Sequence, residues 1–150
     1  MHKPIAVAAL AIVLCAAPAL AQPGSPNTTP GTVTRIVLLH IKPGHGDQFW
    51  ADIRQHQKPV YDEEKRQGVL TNYTVATKPT QENPDDWNVA VTLTYPNWAA
   101  LDNLASRTDP ITLAHYGSAA NRTAAAIARL EHGSVVATFL VRDQTVNPWK

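Results

Sequence analysis

Residues 32–50 read TVTRIVLLHIKPGHGDQFW, and the change of character inside this stretch decides the architecture. Thr32 to Ile41 is rich in β-branched and apolar side chains, which predicts a strand. Lys42-Pro43-Gly44 breaks it. Behind Asp47, an acid suited to a helix start, Phe49, Trp50 and Ile53 recur at helical spacing and predict an amphipathic helix. Pro59 is expected to interrupt this helix; a charged segment, Val60 to Gln67, continues it with Val60 and Tyr61 on the buried stripe, and Gly68 is the expected stop. Two strands come next, VLTNYTVATK from Val69 and WNVAVTLTY from Trp87. Asn97 is a good N-cap for a short helix with Trp98, Leu101 and Leu104 or Ala105 inward. A longer helix from about Pro110 carries Leu113, Tyr116 or Gly117, Ala120, Ala124 and Ile127 at helical spacing. VVATFLVR, from Val135, is the last strand.

Strand, helix, strand, strand, helix, strand is the order of two interleaved strand-helix-strand halves. It predicts an α+β fold of the ferredoxin-like βαββαβ type, a four-stranded antiparallel sheet with helices on one face. Alternation along each strand sorts its residues between the two faces. In the third strand Trp87, Val89, Val91, Leu93 and Tyr95 form a bulky face suited to helices, and Asn88, Ala90, Thr92 and Thr94 a small, semi-polar one. In the first strand both sets, Val33-Val37-Leu39-Ile41 and Thr34-Ile36-Leu38-His40, are largely apolar. A strand with water on one side alternates apolar and polar residues, so both sides of this sheet call for cover. The helices supply one side only.

The first 21 residues combine a basic start (Met1-His2-Lys3), an apolar run from Ile5 to about Ala17, and Ala19-Leu20-Ala21 ahead of Gln22. This is the pattern of a secretory signal peptide, with an apolar run too short to span a bilayer. Leu14 stands before Cys15 where lipidation requires a small residue. Cys15 is the one cysteine, so the exported chain is expected to use neither disulfides nor thiol chemistry. Residues 22–31 (QPGSPNTTPG) lack hydrophobic periodicity and read as a flexible tether. Residues 32–143 form the expected single domain, and residues 144–150 a tail with Trp149 near a frayed end. Of thirteen Lys and Arg, Lys3 leaves with the signal, so twelve face twelve Asp and Glu. That balance, without a basic run, argues against nucleic acid as a partner. The absence of a second apolar stretch of spanning length argues against stable membrane insertion, and a periplasmic or secreted product is expected.

Three pieces of the chain, HIKPGHGDQFW, TYPNWAALDNLAS and a closing strand apolar on both faces, resemble the dimeric α/β barrel superfamily. That superfamily includes antibiotic-biosynthesis monooxygenase-like domains and stress-responsive barrel domains. Its subunits face their sheets toward each other, so the resemblance implies a homodimer and would supply the missing cover. It also implies a small apolar or aromatic ligand held between sheet and helices or inside the barrel, with cofactor-independent monooxygenation as the reaction. Fold membership barely constrains chemistry. A non-catalytic dimerising, structural or stress-related domain is the alternative.

His40, at the end of the first strand on the Ile36 and Leu38 face, is the first candidate for a general base or a ligand-orienting group. His115 is the second, and Tyr116 beside it is a candidate ligand contact. Asn72 and Thr74 in the second strand and Thr92 and Thr94 in the third have the side chains to hydrogen-bond a carbonyl or phenol, although strand threonines usually serve β propensity. Trp50, Tyr61, Trp87 and Trp98 read as core aromatics. The histidines occur singly, without His-x-His or His-Glu-x-x-His spacing, so no metal is expected; haem on His115 would follow from some barrel relatives alone, and no cofactor is assigned. No phosphate loop or nucleophile elbow is present, which sets aside kinase and hydrolase chemistry.

Overall fold

The computed structural model describes residues 26–149. The expected signal peptide, Cys15 and the start of the expected tether lie outside the described residues. Within them the chain forms β1 (Thr28–Ile41), α1 (Gly46–Asp52), a π turn (Ile53–Gln57), α2 (Lys58–Arg66), β2 (Asn72–Thr77), β3 (Val89–Tyr95), a 3-10 turn (Trp98–Leu101), α3 (Leu104–Tyr116), α4 (Ala119–His132) and β4 (Gly133–Val146). The strands make one sheet in the order β2-β3-β1-β4, every neighbouring pair antiparallel. This is the ferredoxin-like arrangement that the element order predicts.

The register explains the core. Val37 lies opposite Val91 and Val91 opposite Val75, so one row of valines crosses three strands on the helix side. Val89, Val91, Leu93 and Tyr95 are buried there with Phe49 and Leu70, while Val60, Val69 and Ile111 form a second cluster under α2 and α3. Burying each such aliphatic side chain stabilises the fold by about 1.5–3 kcal/mol. Gly68, at φ +72°, ends α2: Val69 N–H donates to the Glu64 carbonyl at 2.8 Å and Gly68 N–H to that of Lys65 at 3.1 Å. This is the double closure that a left-handed glycine permits, and it delivers Val69 and Leu70 into the core ahead of β2.

Several expectations need correction. Pro59 does not break the first helix. The π turn, closed by Lys58 N–H on the Ile53 carbonyl, resets the helix so that Pro59 falls in the first turn of α2, where a missing N–H costs little. The second helical region is two helices and not one long one from Pro110. Gly117, at φ +75°, closes α3, and the Ser118 hydroxyl caps α4 by accepting from Asn121 N–H at 3.1 Å. Ile111 is buried on α3 in place of Leu113, and Ile127 is 60% exposed. Asn97 caps the 3-10 turn as expected, accepting from Ala100 N–H at 3.0 Å, but Trp98 and Trp50 are 44% and 39% exposed and do not enter the core.

The chain ends differ too. Residues 28–31, read as tether, belong to β1, and residues 144–146, read as tail, belong to β4. Thr28, Thr29 and Pro30 pair with Val146, Thr145 and Gln144. β3 stops at Tyr95, opposite Val33, so Pro30 sits where β1 has one neighbour, a position that tolerates proline. Asn147 extends the ribbon, its N–H donating to the Asn27 carbonyl at 2.7 Å and its side-chain oxygen accepting from the Thr29 hydroxyl at 2.9 Å.

The face away from the helices carries Ile36 and Leu38 of β1, which pair with Phe139 and Ala137 of β4, and beyond them Thr34 with Val141. Phe139 is 43% and Val141 38% exposed. Both faces of β1 are therefore apolar, while the helices cover one.

Candidate functional site

Between the helix-side face of the sheet and the helices lies a cavity of about 190 Å³. Val37, Leu39, Phe49, Ile53, Val91 and Val135 give it apolar walls, and Gln57, Tyr61 and Arg129 gather at one corner. Local sequence places these groups. Gln57 and Tyr61 are four residues apart, one above the other on the helix surface, and the π turn carries Ile53 and Gln57 where it widens the helix. Such turns recur at functional sites. Arg129 reaches in from α4.

The corner is a connected network. Arg129 donates through Nε to Asp52 Oδ2 at 2.7 Å, through Nη2 to Oδ1 at 3.3 Å, and to the Tyr116 hydroxyl at 3.3 Å. Gln57 bridges Arg129 and Tyr61. Its amide oxygen accepts from Arg129 Nη1 at 3.3 Å and Nη2 at 2.5 Å, and its amide nitrogen donates to the Tyr61 hydroxyl at 3.0 Å. This orientation is assigned from the network, since the reverse would set amide donors against guanidinium donors. Burial, reinforced by the charge of Glu64, pushes the Tyr61 hydroxyl up to about 12, so the phenol keeps its proton at neutral pH. The Asp52–Arg129 pair leaves the corner without net charge.

The sequence-predicted residues divide between two sides of the sheet. Asn72 lies opposite Thr94 and Thr74 opposite Thr92, so these four share a patch on the open face. They satisfy one another or near neighbours: Thr74 and Thr92 hydroxyls are 2.7 Å apart, Thr94 and Thr34 3.1 Å, and Asn72 accepts from Lys65 Nζ at 3.5 Å. His40 is on the same face but six residues along β1 from Thr34, about 20 Å away at strand rise, with Nδ1 2.8 Å from the Asp86 carbonyl. His115 lies in the helix layer, 3.1 Å from His56, whose ring stacks on Tyr116. His40 and His115 are therefore not brought into one site. Tyr116 contributes through Arg129. Among the described residues no group of three or more His, Cys, Asp or Glu is placed to hold a metal ion.

Sequence reading missed Asp52, Gln57 and Arg129 and took Tyr61 as plain core. The available signal was an arginine in an alanine-rich helix face (AAAIARL) and a Gln-to-Tyr step of four residues on a stripe otherwise apolar.

No protein-family model matches the chain, and no curated protein matches it. Solved structures do. HapK from Hahella chejuensis superposes with a TM-score of 0.50 at 11% identity, over 79% of this chain and 97% of its own. A dimeric ferredoxin-like protein from an uncultured marine organism gives a TM-score of 0.50 at 6% identity, over 81% of this chain and 93% of its own. At such identities the likeness is one of fold, and the fold is the ferredoxin-like one.

Proposed function

We propose that this protein acts as a homodimeric barrel module whose open sheet face serves to join two copies, as the dimeric α/β barrel superfamily does. The observation that carries the reading is the apolar strip Ile36, Leu38, Phe139 and Val141 on a face that no helix covers. A second copy is the simplest self-complementary cover. The similar marine structure is itself described as dimeric, which agrees with this reading. Sedimentation equilibrium tests it: a dimer mass with slowed amide exchange along β1 and the Phe139 segment of β4 is expected, and a monomer at the highest soluble concentration would overturn it.

A second reading is favoured by the cavity: each subunit holds a small apolar or aromatic molecule between sheet and helices. Binding takes precedence over monooxygenation here, because the two histidines that acid-base chemistry would call on lie on opposite sides of the sheet. We also propose export, on the N-terminal signal-peptide pattern. The intact mass of the periplasmic product should begin at Gln22; retention of Met1 to Ala21 would refute it.

A further inference from the structure

Resting on the second reading above, that a small molecule occupies the cleft, we propose that the cleft selects a neutral one-ring aromatic ligand bearing a carbonyl, with Tyr61 as the donor that reads the carbonyl oxygen. Three observations point to this class. The first is size. A dry apolar cavity of about 150 Å³ takes benzene, so about 190 Å³ suits one substituted ring. The second is charge. Arg129 is neutralised by Asp52 and further occupied by Tyr116 and Gln57, so the corner offers no free cation to a carboxylate, and an anionic ligand would lose its hydration without a counter-charge.

The third is direction. A phenol hydroxyl has one hydrogen to give and lone pairs to receive. In the chain from Asp52 through Arg129 and Gln57, the Gln57 amide nitrogen donates to the Tyr61 oxygen. Gln57 is the sole hydrogen-bond partner of the Tyr61 hydroxyl among the described residues. The Tyr61 hydrogen is thus left without an acceptor beside an apolar wall, where an unmade hydrogen bond is costly. A ligand carbonyl supplies that acceptor. Burial keeps the proton on the phenol, so the donor persists across physiological pH. A ligand whose only polar group is a donor, a pyrrole for example, leaves the Tyr61 hydrogen unmatched.

The test uses acetophenone and ethylbenzene, near-isosteric and differing in a carbonyl against a methylene, titrated into the protein expressed from its full sequence. Backbone amide shifts at Phe49, Ile53 and Val135 report occupancy. Acetophenone is expected to bind about fivefold more tightly, the net effect of one hydrogen bond. Tyr61→Phe should bring the two dissociation constants together. Equal binding of both probes by the unaltered protein would overturn the carbonyl assignment and leave cleft binding standing. A preference that survives in Tyr61→Phe would overturn the role of Tyr61. No saturable shift with either probe would overturn the cleft reading with it. The selectivity is read first on the unaltered chain, so the outcome does not depend on how the variant folds.

Discussion

Replacing Phe139 by alanine should weaken self-association about a thousandfold. A phenylalanine offers about 200 Å², and 43% of Phe139 remains exposed in the single chain, so about 85 Å² per subunit is available for a second copy to cover. At about 25 cal/mol per Å² this is about 2 kcal/mol. A two-fold axis uses the same residue twice, which raises the loss to about 4 kcal/mol, or roughly three decades in Kd. Phe139 faces away from the helices, so the fold of the single subunit should change little, and a matching far-UV spectrum and thermal midpoint at low concentration would establish that. Sedimentation velocity over a dilution series of both proteins reads the two constants. A variant that dimerises as tightly as the parent would refute the reasoning, because it would place the interface elsewhere on the molecule.

Asp52→Ala should cost about 2–3 kcal/mol in a urea titration, since it strands Arg129 in a half-buried site without its partner; an unchanged midpoint would show that water replaces the carboxylate freely. Glu64 is 6% exposed, and burial pushes its carboxyl above 4.5, with the Arg35 charge pulling the other way. Its folded value exceeds its unfolded one, so its contribution to stability is full below pH 4.5 and is lost as pH rises through the folded value. Glu64→Gln should therefore gain on the parent as pH rises above 4.5; parallel stability curves for the two proteins would contradict this. Gly117→Ala should lose about 1–2 kcal/mol from the φ of +75° alone, since an added Cβ meets nothing within 4 Å; thermal unfolding at unchanged cooperativity checks it.

The fold was legible because hydrophobic periodicity carries it. The alternation in Val89–Tyr95 and the Pro-Gly break after Ile41 mark element type directly, and β1's two apolar sets announce an uncovered face. Boundaries were less legible where a local signal has two readings. Gly117-Ser118 lies inside an apolar helical pattern, and only its left-handed backbone separates a stop from a tolerated glycine. Pro59 reads as a break unless a π turn absorbs it, and no side-chain pattern in the sequence marks that turn. Pro30 and the Thr and Asn residues around it look like tether because their partners, Gln144 to Asn147, lie more than a hundred residues away. The cleft corner was the least legible part. Asp52, Gln57, Tyr61, Tyr116 and Arg129 come from α1, the π turn, α2, α3 and α4, and each alone resembles an ordinary helix-surface or core residue. His40 drew notice for its chemistry, but strand geometry carries it away from the histidine with which it would have had to act.

The ribbon of β1 and β4 brings residues 27 and 147 into direct hydrogen-bond contact, so the two ends of the described chain lie side by side. A short Gly-Ser bridge between them would close a loop at little entropic cost, and the chain could be reopened at the exposed Pro43-Gly44. In such a permuted protein the pairing of Thr28 with Val146, the most distant in sequence that the sheet contains, becomes a local hairpin. The permutant should reach the same sheet by a faster route, since lower contact order raises folding rate.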